Sequence, residues 1–575
     1  MIELKFYREI VLKKYPGILS ILLLSELLGA VLLLLGIGTM IPLISGLLGG
    51  MTTLSGPLGD VLAQIGIFEW TTLEIVIFLS ILIFFQILLN MVRMYIAGSI
   101  GVNLNRSIKH QMNKAMAGAS WEKFSGIDQG KYMQSMIAES SLARGAVSDL
   151  AASLAFAFIT SVLLFWIAVT SVESFLIFFV LAFLYLIGSQ PLMRLLNDTS
   201  QQRIDIMAKM NTRVTDIRHI FKCLLAENMM HKMEKRVFMY IEKIASVEKL
   251  QLLYAILSNN LVTFLGLLIV LNISVVNLWY YKNNGSALIF DLILLQRVTS
   301  NFSNFQVKRQ TMLQKIPSYY TCMEMIRVAG KPHLNHSNGK VIRALKNGID
   351  IKDVSFSYNS KRKILKNVSF TLPAKGVVFF IGSSGSGKTT MVDVILGLLQ
   401  PDVGGHIFVD GRELELIDKS SWSNMVAYVP QEAYILTGTL KNYLTFGGKE
   451  IEDEAIWLAL RLAKADKLIQ HLPDGLNTFI QSGGSNFSGG ERHRLSIARA
   501  LIRGAKVLVL DEPSAALDAN SEQEVFNTLN ELGGGILVIV ITHSKDAIQG
   551  MKNLYMFENG EMVWQGDHKQ LTERV

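Results

Sequence analysis

Residues Gly382-Ser383-Ser384-Gly385-Ser386-Gly387-Lys388-Thr389 fit the phosphate-binding loop pattern G-x-x-x-x-G-K-[ST]. The apolar stretch 376–381 before them predicts a buried strand, and the apolar spacing of 390–399 after them predicts a helix. Glycines let such a loop curl so that its backbone N–H groups face phosphate oxygens, and the helix N-terminus adds a favourable dipole. We therefore expect the loop, Lys388, Thr389 and Thr390 to bind a nucleotide, with the Thr389 hydroxyl ligating Mg²⁺.

The composition divides the 575-residue chain into an apolar part and a soluble part. Half of the residues are hydrophobic, and the mean hydropathy is +0.35. Residues 1–330 contain long uncharged runs and predict a transmembrane domain, 331–348 predict a linker, and 349–575 predict a soluble domain. The net charge of +8 is concentrated beside the apolar runs, which argues for a lipid bilayer and against nucleic acid as a partner. Cys223 and Cys322 are expected to be reduced thiols.

Six apolar runs are long enough to cross a membrane, and they lie at residues 17–48, 73–97, 147–170, 174–194, 253–279 and 286–306. Lys and Arg are abundant in two connections, 98–146 and 195–252. The three other connections together contain a single basic residue, Lys282. Positively charged connections stay on the cytoplasmic side. The sequence thus predicts a multi-pass protein of the plasma (bacterial inner) membrane with both termini and the soluble domain in the cytoplasm.

The two long inner connections keep a helical pattern, so we expect the membrane helices to continue into the cytoplasm and turn back. Segments 121–124 and 216–221 are predicted to lie at these turns and to contact the soluble domain. The outer stretch 57–68 fits either an interfacial helix or a packed loop. Within the spans, Glu26 and Asp291 either line a substrate pathway or form structural pairs.

Further polar residues follow the loop pattern at strand ends and at a helix start. Tyr358 ends a strand before the loop, and Gln431 follows an apolar run downstream. Ser488-Gly489-Gly490 opens a helix, which makes a second anion-binding N-terminus. Asp511 and Glu512 end a strand and precede Ser514-Ala515-Ala516-Leu517-Asp518, and a last apolar run, 536–541, leads to His543.

This ordered series resembles the ATP-binding-cassette (ABC) family over residues 349–575. The resemblance implies that Tyr358 stacks on adenine, that Ser488, Gly489 and Gly490 cap the partner chain's ATP, and that His543 contacts the γ-phosphate. It also implies that Gln431 couples the site to the membrane domain and contacts the metal. Asp511 would hold Mg²⁺ through water, and Glu512 would orient and deprotonate the attacking water. One chain carries one cassette, so two copies are expected to form a homodimer.

Three positions depart from the family pattern. Phe487 stands where Leu is usual, Glu491 where Gln is usual, and Ser482 where exporters commonly carry Glu. The first two leave the serine and glycines intact. The third departure, Ser482, puts in doubt the contact that this position of the cassette makes with the inner connections in the family.

The fold class expected is a six-helix α-helical transmembrane domain fused to an α/β P-loop cassette, which looks like a half-size ABC exporter. The sequence is similar to lipid-linked oligosaccharide flippases of the PglK type in the first span, in 57–68 and in 483–490. We therefore expect ATP-driven export of an amphipathic substrate. Export of an antimicrobial or lasso-type peptide or of amphipathic drugs remains open, as does an ATP-gated channel, whereas the six spans exclude a soluble DNA-associated ATPase.

Overall fold

A computed structural model describes residues 2–10, 17, 24–33, 35–36, 39, 71–170, 172–280, 285–330, 339–358, 363–446, 451–513, 529–543 and 548–574. The chain forms two compact units. The first comprises 1–119 and 126–332, and the second comprises 120–125 and 333–575.

The first unit is helical. Its helices, in chain order, are α1 (Ile2–Tyr7), α2 (Leu24–Leu33), α3 (Thr72–Ala117), α5 (Gln129–Gln134), a π-helical turn (Ser135–Glu139), α6 (Ser140–Thr170), α7 (Val172–Ala226), α8 (Met230–Tyr280) and α9 (Gly285–Ala329). The short helix α4 (Trp121–Ser125) groups with the second unit. A 55-residue helix such as α7 is roughly 80 Å long, far more than a hydrocarbon core of about 30 Å requires.

Among the described residues, four helical stretches are long and apolar enough to cross a membrane: Leu73–Ala117, Gln129–Val169, Phe175–Ile217 and Met230–Leu268. They overlap four of the six predicted spans, namely 73–97, 147–170, 174–194 and 253–279. The first predicted span, 17–48, lies mostly outside the described residues, as do the stretch 57–68 and the motif 514–518. The sixth, 286–306, lies in α9, where the side chains up to residue 292, including Asp291, are not described. Six spans are therefore not confirmed.

Both long inner connections are helical, as predicted, but the second turn is misplaced in the prediction. Helix α7 continues through 216–224 and ends at Ala226, and Asn228 then adopts a left-handed conformation with φ of 52°. The prediction was wrong because 216–226 contains neither Gly nor Pro, so nothing in that stretch interrupts a helix. Asparagine tolerates positive φ better than most residues and marks the actual turn.

Parts of α3 and α9 share a hydrophobic core with the N-terminal residues. Phe6 is fully buried and meets Tyr319 edge-to-face, with 5.3 Å between ring centroids. Leu104 of α3 and Cys322 of α9 belong to the same cluster. Burial raises the pKa of the Cys322 thiol to about 12, whereas Cys223 is an exposed free thiol. The N-terminal helix thus packs against the extension of α9.

Glu26 of α2 forms an ion pair with Arg93 of α3. The Glu26 side chain is 3% exposed and that of Arg93 is 14% exposed. Gly29 lies one turn along α2, where a Cβ atom would be 3.7 Å from the Arg93 guanidinium. Of the two interpretations open for Glu26, this geometry supports the structural pair.

Replacing Arg93 with Met is expected to destabilise the protein by about 3–5 kcal/mol, because the Glu26 carboxylate would then remain buried without a partner. The thermal unfolding midpoint of the detergent-solubilised protein measures the effect. The double variant Glu26→Gln/Arg93→Met removes both charges and should recover most of the loss. Equal destabilisation of the single and double variants would contradict the pairing role.

The second unit contains a mixed sheet, an antiparallel sheet and surrounding helices. Its strands are β1 (Gly348–Ser357), β2 (Lys363–Pro373), β3 (Gly376–Ile381), β4 (His406–Val409), β5 (Arg412–Glu413), β6 (Val426–Val429), β7 (Gly438–Thr439), β8 (Phe479–Ile480), β9 (Val507–Asp511), β10 (Leu537–Ile541), β11 (Leu554–Glu558) and β12 (Glu561–Gly566). Its helices are α10 (Lys388–Ile395), α11 (Lys419–Met425), α12 (Leu440–Thr445), α13 (Asp453–Leu462), α14 (Asp466–Gln470), α15 (Gly489–Ile502) and α16 (His568–Arg574).

Among the described strands, six form a sheet in the order β12-β11-β3-β10-β9-β6. Strands β11, β3, β10, β9 and β6 run parallel, and β12 is antiparallel to β11. A second sheet has the order β2-β1-β4-β5, and β7 pairs with β8. The central strands are continuous apolar runs because both faces of the sheet are covered, and Val538, Ile539 and Val540 are fully buried.

Candidate nucleotide site

The predicted site residues meet at the carboxyl edge of the parallel sheet. Ile541 at the end of β10 pairs with Phe380 in β3 and with Asp511 in β9, so the three strands end at the same level. The glycine loop follows β3, Glu512 follows β9 and His543 follows β10. Ligands of open α/β sheets bind at this edge.

The loop 382–387 depends on glycines at two points where another residue would clash. Gly382 has φ of +140°, and a Cβ atom there would lie 2.1 Å from the Phe557 carbonyl oxygen. Gly387 has φ of +102° and is the N-cap of α10, and its absent side chain would approach Leu365. No side chain caps the start of α10, so its first backbone N–H groups are available to an anion.

Lys388 is 5% exposed, and its ammonium lies inside the curve of the loop. Its Nζ donates to the carbonyl oxygens of Gly382 and Ser383, at 2.9 Å each. Burial lowers the pKa of Lys388, while Glu512 and Asp511 oppose that shift. Next to it, Thr389 is exposed at the loop mouth and Thr390 is buried. Thr389 is thus the more accessible of the two threonines.

Asp511 lies at the end of β9 among groups that the sequence prediction did not include. Tyr428 in β6 donates its hydroxyl to Asp511 Oδ2 at 3.0 Å. Burial raises the pKa of Asp511. The pKa of Asp393, in α10, is raised to about 6 by burial and by the nearby Asp511 charge.

Glu512 is held by both other predicted catalytic residues. Gln431 donates its Nε2 to Glu512 Oε2 at 2.7 Å, and His543 Nε2 lies 3.0 Å from Glu512 Oε1. The backbone at Glu512 has φ of +47°, and its N–H donates to the Ile541 carbonyl oxygen at 2.9 Å. Positive φ in a non-glycine residue is strained and concentrates at functional sites. The turn after β9 therefore aims the carboxylate between Gln431 and His543.

Two further predicted residues lie on other elements of the same unit. Tyr358 directly follows β1, is 43% exposed, and meets Phe356 edge-to-face. Ser488 is the N-cap of α15, and Gly489 and Gly490 begin that helix. The adenine and partner-nucleotide roles of these residues stay predictions.

Phe487 and Glu491, which depart from the family pattern around the start of α15, have structural explanations. Glu491 accepts from the Ser488 backbone N–H at 2.8 Å, while the Ser488 hydroxyl accepts from the Glu491 N–H at 3.3 Å. This reciprocal capping box stabilises the helix start. Phe487 is 4% exposed and belongs to the hydrophobic core. Glutamate and phenylalanine are thus compatible with the local fold.

The residues present suit Mg²⁺ bound together with a nucleotide. Thr389 offers a hydroxyl oxygen and Asp511 a carboxylate, and Mg²⁺ prefers such hard oxygen ligands. Among the described residues, no group of three or more His, Cys, Asp and Glu side chains is arranged to hold a metal ion. An ion here would therefore complete its shell with phosphate oxygens and water, which is how Mg²⁺ usually binds with nucleotides.

Comparisons with known proteins agree with the geometry of the second unit. Residues 365–515 match the family model described as ABC transporter. A multidrug resistance ABC transporter ATP-binding and permease protein of Lactococcus lactis subsp. lactis is 35% identical over 225 residues, which cover 39% of this chain and 38% of that protein. An ATP-dependent lipid A-core flippase of Photobacterium profundum is 34% identical over 281 residues, or 48% and 46% of the two chains.

The matched region is less than half the length of these curated relatives. The fold comparison extends over the whole chain. A solved structure of a bacterial Atm1-family ABC exporter with ATP bound superposes with a TM-score of 0.79, at 18% identity, over 97% of this chain and 96% of the other. Residues 365–515 thus match an ABC transporter domain, and the chain as a whole shares the fold of that solved structure, a helical transmembrane domain followed by a cassette.

Proposed function

We propose that the chain is an ATP-hydrolysing exporter or flippase that moves an amphipathic substrate from the cytoplasmic side of the plasma membrane outward. The observation that carries the proposal is the Glu512 carboxylate, held by Gln431 and His543 at the sheet edge where the phosphate loop begins. The Lys- and Arg-rich inner connections support a cytoplasmic cassette.

In the proposed hydrolysis, the loop amides, Lys388 and Thr390 bind the phosphates, and Tyr358 stacks on adenine. Glu512 accepts a proton from the attacking water as the water oxygen bonds to the γ-phosphorus and the bond to the bridging oxygen breaks, leaving ADP and phosphate. His543 contacts the γ-phosphate. Thr389, Asp511 through water, and Gln431 would hold Mg²⁺, which would supply positive charge against the phosphate oxygens when bound.

Two copies of the chain form the working unit in this proposal. Ser488, Gly489 and Gly490 begin α15, whereas the cassette binds its own ATP at a different helix, α10, in this proposal. The helix start of one copy would cap the nucleotide of the other. Closure of two cassettes around two nucleotides would then drive the membrane helices between inward- and outward-open states.

The substrate class proposed is an amphipathic molecule, and a lipid-linked oligosaccharide is the first candidate. Two observations support the class. The names of relatives include a multidrug transporter and a lipid A-core flippase, and helices such as α3 and α7 expose many large apolar side chains. The similarity of the first span and of 483–490 to PglK-type flippases favours the oligosaccharide lipid.

The test uses full-length protein in proteoliposomes that contain a fluorescent lipid-linked oligosaccharide. ATP-dependent movement of the label between leaflets, lost in Glu512→Gln, is the expected result. ATPase activity without movement would overturn the oligosaccharide lipid and direct the assay to peptides and amphipathic drugs. Ion conductance without uphill transport would overturn the exporter in favour of an ATP-gated channel.

A further inference from the structure

His493 connects α15 to the residue that holds Glu512. It lies five residues after Ser488 and is 4% exposed. Its Nε2 is 2.9 Å from the Gln431 carbonyl oxygen. Its Nδ1 is buried and has no hydrogen-bond partner among the described residues.

The partner of Nε2 fixes the direction of this hydrogen bond. A carbonyl oxygen only accepts, so Nε2 carries a proton and donates it to Gln431. Burial lowers the pKa of His493, and the Arg492 charge lowers it further, although the Gln431 hydrogen bond opposes both. The imidazole therefore acts as a hydrogen-bond donor to the Gln431 carbonyl oxygen.

Gln431 passes this contact on to the carboxylate. Its backbone carbonyl accepts from His493, while its side-chain amide donates to Glu512 Oε2 at 2.7 Å. Further along the same helix, α15 contacts α12: Ser496 and Tyr443 share a hydrogen bond of 2.9 Å, and the Arg499 guanidinium lies 4.9 Å from the Tyr443 ring centroid. His493 thus joins the N-terminal half of α15 to the Gln431 backbone.

We propose that His493 is a positioning residue that links the two ends of the hydrolytic machinery. Through Gln431 it holds the Glu512 carboxylate, which acts on the chain's own ATP. Through α15 it is joined to Ser488, which is proposed to cap the ATP of the partner chain. When Ser488 caps the partner's ATP, the alignment of the catalytic Glu512 carboxylate at the chain's own ATP is thereby affected. The inference rests on the roles proposed above for Glu512 and Ser488.

The first test compares two substitutions of His493 in the reconstituted full-length protein. In His493→Gln, an amide nitrogen can replace Nε2 as the donor, and kcat for ATP hydrolysis should stay within about threefold of wild type. In His493→Leu, the Gln431 carbonyl loses its donor, and kcat should fall about tenfold, with the KM for ATP little changed.

A double substitution tests whether His493 acts through Gln431. In a Gln431→Ala background the amide that holds Glu512 is already absent, so adding His493→Leu should lower kcat by less than about twofold. Tyr443→Phe is the matched control, because it also removes one buried hydrogen bond from α15 but does not lead to Gln431. It should lower the unfolding temperature while keeping kcat near that of wild type.

Three results would overturn the proposal: a wild-type kcat in His493→Leu, an equal loss of kcat in Tyr443→Phe, or a full tenfold effect of His493→Leu in the Gln431→Ala background. Failure of the proposed function is distinguishable from these, since it would appear as ion conductance without uphill transport in the wild-type protein. Undiminished ATP hydrolysis in Glu512→Gln would instead remove the base role of Glu512, on which this inference rests.

Discussion

Replacing Glu512 with Gln is expected to lower kcat for ATP hydrolysis by at least about 100-fold, because a general base contributes that much or more. The amide keeps the shape of the side chain and an oxygen that can accept from Gln431, so the site should remain folded. It cannot take up the proton of the attacking water. ATP should therefore still bind and stay unhydrolysed, as phosphate release and nucleotide retention on the purified protein would measure.

The matched control is Glu531→Gln, which makes the same chemical change at an exposed position of the same unit. It should hydrolyse ATP at the wild-type rate. If Glu512→Gln hydrolysed ATP as fast as this control, Glu512 would not be the base, and the carboxylate of Asp511 would become the next residue to test.

Replacing Gly382 with Ala is expected to weaken ATP binding by about 100-fold, equivalent to losing one or two charge-assisted hydrogen bonds. The added Cβ would lie 2.1 Å from the backbone oxygen of Phe557, and φ is +140°. Neither the strand backbone nor the loop can relax without moving the amides that face the phosphates. Binding of a fluorescent ATP analogue measures the loss.

Gly411→Ala separates the clash from the ordinary disadvantage of alanine at positive φ. Gly411 has φ of +76°, and a Cβ atom there would meet no described atom within 4 Å. This variant should lose about 1 kcal/mol of stability and bind ATP normally. Normal ATP binding in Gly382→Ala would mean that the loop tolerates a displaced backbone and that its contacts are weaker than proposed.

Much of the nucleotide site was predictable because its residues follow short, strongly patterned segments. The apolar run 376–381 and the glycines after it specify a strand and a loop locally, and β3 has the predicted bounds. Asp511 and His543 each end an apolar run, and parallel strands bring such ends to one edge. These features need no knowledge of distant contacts.

The surroundings of the carboxylates were not predictable in the same way. Tyr428 reaches Asp511 only because β6 pairs with β9, and the two residues are 83 positions apart in the chain. His493 is one polar residue on a helix whose sequence does not reveal that Gln431 lies beside it. Its polar character among buried neighbours was the available signal, yet that pattern alone fits many structural histidines.

The membrane unit shows a similar division. Apolar length predicted four helices that the structure contains, since length and composition are local properties. The partner of Glu26 depended on the packing of α2 against α3, which no sequence pattern specified. Likewise, the end of α7 was set by a single asparagine rather than by a clear break in composition.

The backbone conformation of Glu512 has a consequence for how this protein can change over evolutionary time. With φ at +47°, a side chain stands where glycine would be conformationally easier. Random substitution toward glycine would relieve the strain and, at the same time, remove the carboxylate. The position is thus one where backbone stability and turnover make opposite demands on the same residue.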